Sequence, residues 1–255
     1  MNDFTVVIPA RYSSTRLPGK PLLPLAGRPV IEHVWRRATE SGARRVIIAT
    51  DHSEIAEHAG ALGAECCMTD PGHTSGTERI AEVVTACDLR ATEIVVNLQG
   101  DEPLMPPALL AQVARTLAAT PAASMATLAT PIHDSDELHD PHAVKLVADH
   151  GGRALYFSRA AIPWDREGQG EWLRRVARRH LGIYAYRAGF LREYAALPVS
   201  ALEGIEQLEQ LRALEAGVHI QVADADERPG PGIDTAADLA MAEAAFGTTT
   251  TEVRE

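Results

Sequence analysis

Brief apolar runs, each closed by a polar turn and followed by a segment with helical spacing, set the rhythm of this chain. Phe4-Thr5-Val6-Val7-Ile8 is short and rich in β-branched residues, which predicts a strand buried on both faces. Apolar residues recur at helical spacing from Val30 to Trp35, predicting a helix over 29–41 with Pro29 in its first turn, where a missing N–H costs nothing. The pattern continues with a strand over 43–51, a helix over 53–62 stopped at Gly63, and a short strand over 65–68. A helix over 78–87, a strand over 94–98, an amphipathic helix over 104–120 and a small strand over 125–129 follow. Such alternation predicts an α/β fold with a mostly parallel sheet and helices on its faces.

Beyond residue 130 the pattern loosens. Residues 132–141 are polar and read as an excursion, and 143–147 with 154–157 read as a hairpin across a turn. Residues 180–186 alternate as a strand that puts His180, Gly182, Tyr184 and Tyr186 on one face. Leu202, Ile205, Leu208 and Leu211 predict the buried stripe of one helix, with Glu206 and Gln210 four apart on a neighbouring face. A last strand over 220–222 precedes a terminal helix that Thr235 and Asp238 can cap. The final residues are polar and low in complexity, as expected of a disordered tail.

Composition narrows the function. With 45% hydrophobic residues the 255-residue chain can bury a large core, and its net charge of −11 argues against general nucleic-acid or anionic-membrane binding. Asn2-Asp3 stands where a secretory signal would be basic, and no apolar run approaches the roughly eighteen residues of a spanning helix, so the expectation is a cytoplasmic protein. Three cysteines, two of them adjacent, make no disulfide framework. An acidic protein that handles an anion must concentrate its cations locally.

Residues 9–20 do that. This loop leaves the first strand at its carboxyl end, the edge where open α/β sheets bind ligands. Arg11, Arg16 and Lys20 supply cations, while Ser13, Ser14, Thr15 and Gly19 supply small side chains and accessible N–H groups, a combination suited to a triphosphate. It is not a Walker A loop: Ser14 stands where that motif has its first glycine, and Pro21 where it has Ser or Thr. At the same edge, Gln99-Gly100-Asp101-Glu102-Pro103 follows the strand 94–98. Asp101 there suits Mg²⁺ beside phosphate oxygens, or a plain turn. Ser75-Gly76-Thr77 before a helix fits close backbone approach to a ligand, or a simple helix cap. Arg159, at a strand exit, could clamp a carboxylate through paired N–H···O bonds. Residues 166–179 are basic and read as a solvated face.

The run from Arg11 to Leu22 resembles the signature loop of sugar-activating cytidylyltransferases, and within them the 3-deoxy-manno-octulosonate (Kdo) cytidylyltransferases. Further matching segments are Ser-Gly-Thr-Glu-Arg at 75–79, Gln-Gly-Asp-Glu-Pro at 99–103, Phe-Ser-Arg at 157–159, His-Leu-Gly-Ile-Tyr at 180–184, Glu206-x-x-x-Gln210 and Gly-x-Asp-Thr at 232–235. The resemblance implies a single Rossmann-like nucleotidyltransferase domain over 1–246, with a smaller excursion over about 132–215 for sugar binding and dimer contacts, and a disordered tail over 247–255. It implies a homodimer that takes CTP and Kdo, with Mg²⁺ on Asp101 and Asp234, for lipopolysaccharide biosynthesis. Arg11, Arg16, Lys20, Asp101 and Asp234 would be catalytic. Ala10, Arg11, Ser14, Lys20, Ser75, Gly76, Arg79 and Gln99 would hold the nucleotide. Arg16, Gln99, Arg159, His180, Tyr184, Glu206 and Gln210 would hold the sugar. A cytidylyltransferase for another acidic sugar, such as sialic acid or 8-amino-Kdo, would share the loop and both Asp motifs. A glycosyltransferase or a non-catalytic nucleotide-binding module stand further off.

Overall fold

A computed structural model describes residues 3–13, 17–73, 75–168 and 176–249. Ser14 and Arg16 lie outside these, as do residues 169–175 of the basic stretch and 250–255 of the tail. The first strand, β1 (Phe4–Ala10), is buried along nearly its whole length. It sits centrally, parallel to β4 (Arg45–Thr50) on one side and β6 (Ile94–Asn97) on the other. Alternate β1 residues feed two cores: Val6 and Ile8 pack with Val30, Ile31, Val34, Leu109, Leu110 and Val113, whereas Val7 packs with Ile80, Val83 and Val84. Both faces of the sheet are therefore covered, which is why its strands read as continuous apolar runs.

The elements between β1 and β6 follow the predicted order. A two-strand ribbon, β2 (Pro24–Leu25) and β3 (Arg28–Pro29), turns through Ala26 and Gly27, both at positive φ, as a tight hairpin requires. The ribbon displaces the predicted helix start: Pro29 is extended and precedes α1 (Val30–Glu40). Then come α2 (Ser53–Ala61), β5 (Glu65–Met68) parallel to β4, and α3 (Gly76–Ala86), which begins two residues ahead of expectation because Ser75 caps it. The order β5-β4-β1-β6 reverses direction at β1, and the crevice at its carboxyl end is the topological switch point.

The second half extends the sheet. After α4 (Pro107–Ala118), β7 (Met125–Pro131) pairs in parallel with β11 (Ile220–Asp224). Within the expected excursion, α5 (Ser135–His139) precedes the hairpin of β8 (Lys145–Ala148) and β9 (Ala154–Ser158). Lys145 is fully buried, with Nζ donating to the carbonyls of Asp140, Ala143 and Arg159. The long strand β10 (Arg178–Arg187) then returns into the central sheet, antiparallel to both β6 and β7. Its register shifts between His180 and Tyr184, where Gly182 has φ +74°. Before this bulge β10 pairs with β8, and after it with β6.

The predicted helix over 202–211 is two helices. Between Ala201–Glu206 and Gln210–Glu215 the chain passes through Gln207 at φ +53°, a left-handed residue that ends the first helix. Ile205 consequently stands 80% exposed, while Leu208 and Leu211 are buried. The terminal helix (Ala236–Thr249) runs past the boundary expected at 246. Among the described residues no helix is long and apolar enough to cross a membrane.

Candidate active site

The loop after β1 is shaped by Tyr12 and Gly19. The Tyr12 ring stacks on His52 at 3.9 Å, and its carbonyl accepts the Gly19 N–H at 3.1 Å. Gly19 adopts φ +67°, a conformation costly for other residues, and so launches a 3-10 turn over Lys20–Leu22. That turn carries Lys20 inward. Its Nζ donates to Asp101 Oδ2 at 2.6 Å, to the Ile233 carbonyl at 2.8 Å and to Asp234 Oδ1 at 3.3 Å. The two carboxylates expected to hold Mg²⁺ thus converge on one ammonium from segments far apart in sequence.

Close backbone approach places each carboxylate. A Cβ on Gly100 would come within 2.8 Å of the Pro9 carbonyl, so only glycine lets the turn after β6 lie against β1. The Ile233 N–H donates to the Asp101 carbonyl at 2.8 Å, tying the two acidic segments together. Asp238 accepts from Thr235 Oγ1 and from the Asp234 and Thr235 N–H groups, which hold its carboxyl below the usual range. Thr235 and Asp238 form the predicted cap. Burial beside Asp101 pushes the neighbouring Glu102 up to about 8, and its Oε2 has no partner among the described residues.

A cavity of about 560 Å³ opens on this cluster. Ala10, Arg11, Lys20, Asp101 and Asp234 form one side, and Ser75, Gly76, Arg79 and Gln99 form another. Every nucleotide-site residue named from the sequence, apart from Ser14, is brought together here. Two have more than one task. Ser75 Oγ accepts the Glu78 N–H at 3.1 Å, so the capping role holds alongside its place on the wall. Arg79 is 3% exposed and bonded to Asp51 at 2.7 Å and to Thr69, so its guanidinium is fixed before any ligand arrives.

A second cavity, of about 250 Å³, adjoins the first and shares Gln99 and Glu209 with it. His180, Tyr184 and Gln210 line it as expected, together with Thr77, Asn97 and Tyr186. Among the described residues, three buried polar atoms on its wall find no partner: Asn97 Oδ1, the Tyr184 hydroxyl and Gln210 Nε2. Unpaired groups of this kind are expensive to bury unless a ligand or water completes them. Burial drives His180 down to about 3 and Tyr184 far up, so both are neutral. Thr127 Oγ1 sits 2.9 Å from His180 Nε2 and fixes that ring.

Arg159 and Glu206 are not brought to this cavity. Glu206 accepts from Ser158 Oγ at 2.6 Å and from the Arg159 N–H at 2.8 Å. The Arg159 guanidinium donates to the carbonyls of Glu206 and Pro141 at 2.8 and 3.0 Å. They brace the β9 exit against the broken helix rather than forming a paired carboxylate clamp. The turn at Gln207 is the cause, because it separates Glu206 from the face that carries Gln210. Sequence reasoning missed Glu209, which accepts from Thr77 Oγ1 at 2.7 Å where the cavities meet, and it assigned no site role to Asn97, to His73 or to Tyr186, although Tyr186 shares the predicted face of His180 and Tyr184. Asn97 carried a signal, as a polar residue closing a buried strand.

A switch-point crevice with fixed cations and paired carboxylates suits nucleotidyl transfer. A family model described as cytidylyltransferase matches residues 5–220, and the chain belongs to that family of nucleotidyltransferases. It is 57% identical over 250 residues to the 3-deoxy-manno-octulosonate cytidylyltransferase of Alkalilimnicola ehrlichii, covering 94% of this chain and 95% of that one. It is 56% identical over 246 residues to the enzyme of the same name from Halorhodospira halophila, covering 92% and 94%. A solved structure of CMP:2-keto-3-deoxy-manno-octonic acid synthetase complexed with CTP superposes with a TM-score of 0.89 at 40% identity, covering 96% of this chain and 99% of that one.

Proposed function

We propose that this enzyme transfers CMP from CTP to the 2-hydroxyl of Kdo, giving CMP-Kdo and pyrophosphate. One observation carries the reading: a cation-lined cavity opens directly into a smaller one whose walls hold unpaired donors and acceptors. The first suits a nucleoside triphosphate and the second a polyhydroxy acid. The names of the two relatives and of the CTP-bound neighbour point the same way.

In the reaction the sugar hydroxyl oxygen forms a bond to the α-phosphorus while the bond to the bridging oxygen of the β-phosphate breaks. Catalysis of this kind is mainly positioning and charge stabilisation. Arg11 and Lys20 offset the charge gathering on the departing pyrophosphate, and Arg16 from the same loop is assigned to that task. Gln99, at the junction, touches both substrates, and His180, Tyr184 and Gln210 orient the sugar. His180 is neutral and hydrogen-bonded, so it aligns a hydroxyl rather than supplying charge. The carboxylates of Asp101 and Asp234 fit Mg²⁺, a hard cation that takes one or two carboxylates and completes its shell with water and phosphate oxygens. Bound there, Mg²⁺ would neutralise phosphate charge and acidify the attacking hydroxyl.

The same reading places the enzyme in the cytoplasm, in lipopolysaccharide biosynthesis, as a homodimer. Trp164, 81% exposed beside an apolar groove lined by Ile132, Leu138 and Ala161, supports the dimer. Light scattering of the protein and of Trp164→Ser tests it. The activity is tested by pyrophosphate release from CTP and Mg²⁺ with Kdo, 8-amino-Kdo and sialic acid supplied in turn. Release with Kdo is expected. Release only with another sugar would move the specificity, and release with none would overturn the reading.

A further inference from the structure

His73 lines the nucleotide cavity beside Gly76 and Arg79, and the mechanism above does not use it. Its Nε2 lies 2.6 Å from Glu82 Oε2, and the same oxygen accepts the Asp70 N–H at 2.9 Å. Two lone pairs cannot face each other at that separation, so a proton lies between Nε2 and Glu82, and Nδ1 is the ring nitrogen that Glu82 does not engage. Asp70 Oδ1 accepts from the Gly72 N–H at 2.7 Å. The turn between β5 and α3 is thus held by a few hydrogen bonds anchored on one carboxylate of α3. Helix α3 does not need Glu82 for its own start, which Ser75 caps.

Charge decides what this side of the cavity can take. Glu82 touches the ring, and Glu209 stands across Thr77 on the same helix. Arg11 and Lys20, the cations suited to a triphosphate, lie on the loop after β1, and Arg79 on this side is already paired with Asp51. The nucleoside half remains, and it offers proton donors: the ribose hydroxyls and the cytosine amine. In the tautomer with its proton on Nε2, the ring offers Nδ1 as an acceptor for such a proton. We infer that His73 binds a hydroxyl or amine proton of the nucleoside through Nδ1, and that Glu82 is the positioning residue that fixes the ring for it. The inference rests on CTP being the nucleotide substrate.

The test uses the full-length protein with CTP, 2′-deoxy-CTP, 3′-deoxy-CTP and UTP. His73→Ala and Glu82→Ala should each raise KM for CTP about ten-fold, the worth of one hydrogen bond, and leave kcat within about three-fold. Glu82→Gln keeps a neutral acceptor and should recover most of the loss. In His73→Ala the penalty should vanish for the one analogue that lacks the donor, a deoxynucleotide if the partner is ribose and UTP if it is the amine. An unchanged KM for CTP, or an equal loss with all four nucleotides, overturns the inference. Calorimetric CTP binding reads the same loss without turnover, so failure of CMP transfer to Kdo is told apart from failure of this contact. Should the variants not fold, histidine-ring NMR of the unmodified protein decides: CTP must shift the His73 Nδ1 signal, and no shift overturns the contact.

Discussion

Lys20 gathers three acceptors from two distant segments, and the site can be tested there first. Replacing it by Met removes the ammonium that Asp101 and Asp234 share. Pyrophosphate release should fall at least about 100-fold, the usual cost of losing a charge aimed at a leaving phosphate. Asp101→Ala should abolish Mg²⁺-dependent turnover while the circular-dichroism melt stays in place; unchanged Mg²⁺ dependence would reject the metal assignment. Arg79 is different. Its guanidinium is almost wholly buried against Asp51, so Arg79→Ala should cost about 3–5 kcal/mol of stability in denaturant melts, besides any loss of CTP binding. Lys20 and Asp101 were legible in the sequence because each follows a strand and carries a charge where small residues bring backbone close, whereas Arg79 came only from the resemblance of Ser-Gly-Thr-Glu-Arg to the family's segment. Glu209 was not legible, since what marks it is a cavity assembled from distant segments, and Asn97 left only the signal of a polar residue closing a buried strand.

Sequence periodicity located most of the elements and missed what interrupts them. The spacing of Leu202, Ile205, Leu208 and Leu211 is that of one continuous helix, and the one glycine among them, Gly204, stands three residues before the break. Gln207 supplies it with a left-handed backbone, and this turn sends Glu206 toward Ser158 and Gln210 toward the sugar cavity. The small ribbon at 24–29 escaped for the opposite reason, being too short to show alternation. Lys145 was hidden inside an apolar strand pattern, yet it ties three carbonyls of the excursion with one ammonium. Lys145→Met keeps the apolar stem and removes the donor, so it should destabilise the protein by at least about 2 kcal/mol, read as a lower unfolding midpoint in urea.

For the molecule as a whole, buried titration sets its tolerance of acid. His180 is neutral in the folded protein down to about pH 3, whereas in the unfolded chain it takes up a proton near its ordinary value of 6.5. The unfolded state therefore binds more protons between those limits, and stability drains away as pH falls from 6.5 toward 3. His180→Gln should flatten that part of the stability curve, measured as urea midpoints across the range. Strand order is a property of the same scale, and no local pattern reveals that β10 enters between β6 and β7. That insertion has a consequence for biogenesis. While the chain emerges from the ribosome, β6 and β7 wait with bare edges until residues 178–187 arrive, some eighty residues after β6 is complete. Such edges pair readily with other chains. A nascent chain stalled near residue 150 should accordingly be cut by dilute protease and captured by chaperones, and one stalled after β10 has cleared the exit tunnel should resist both.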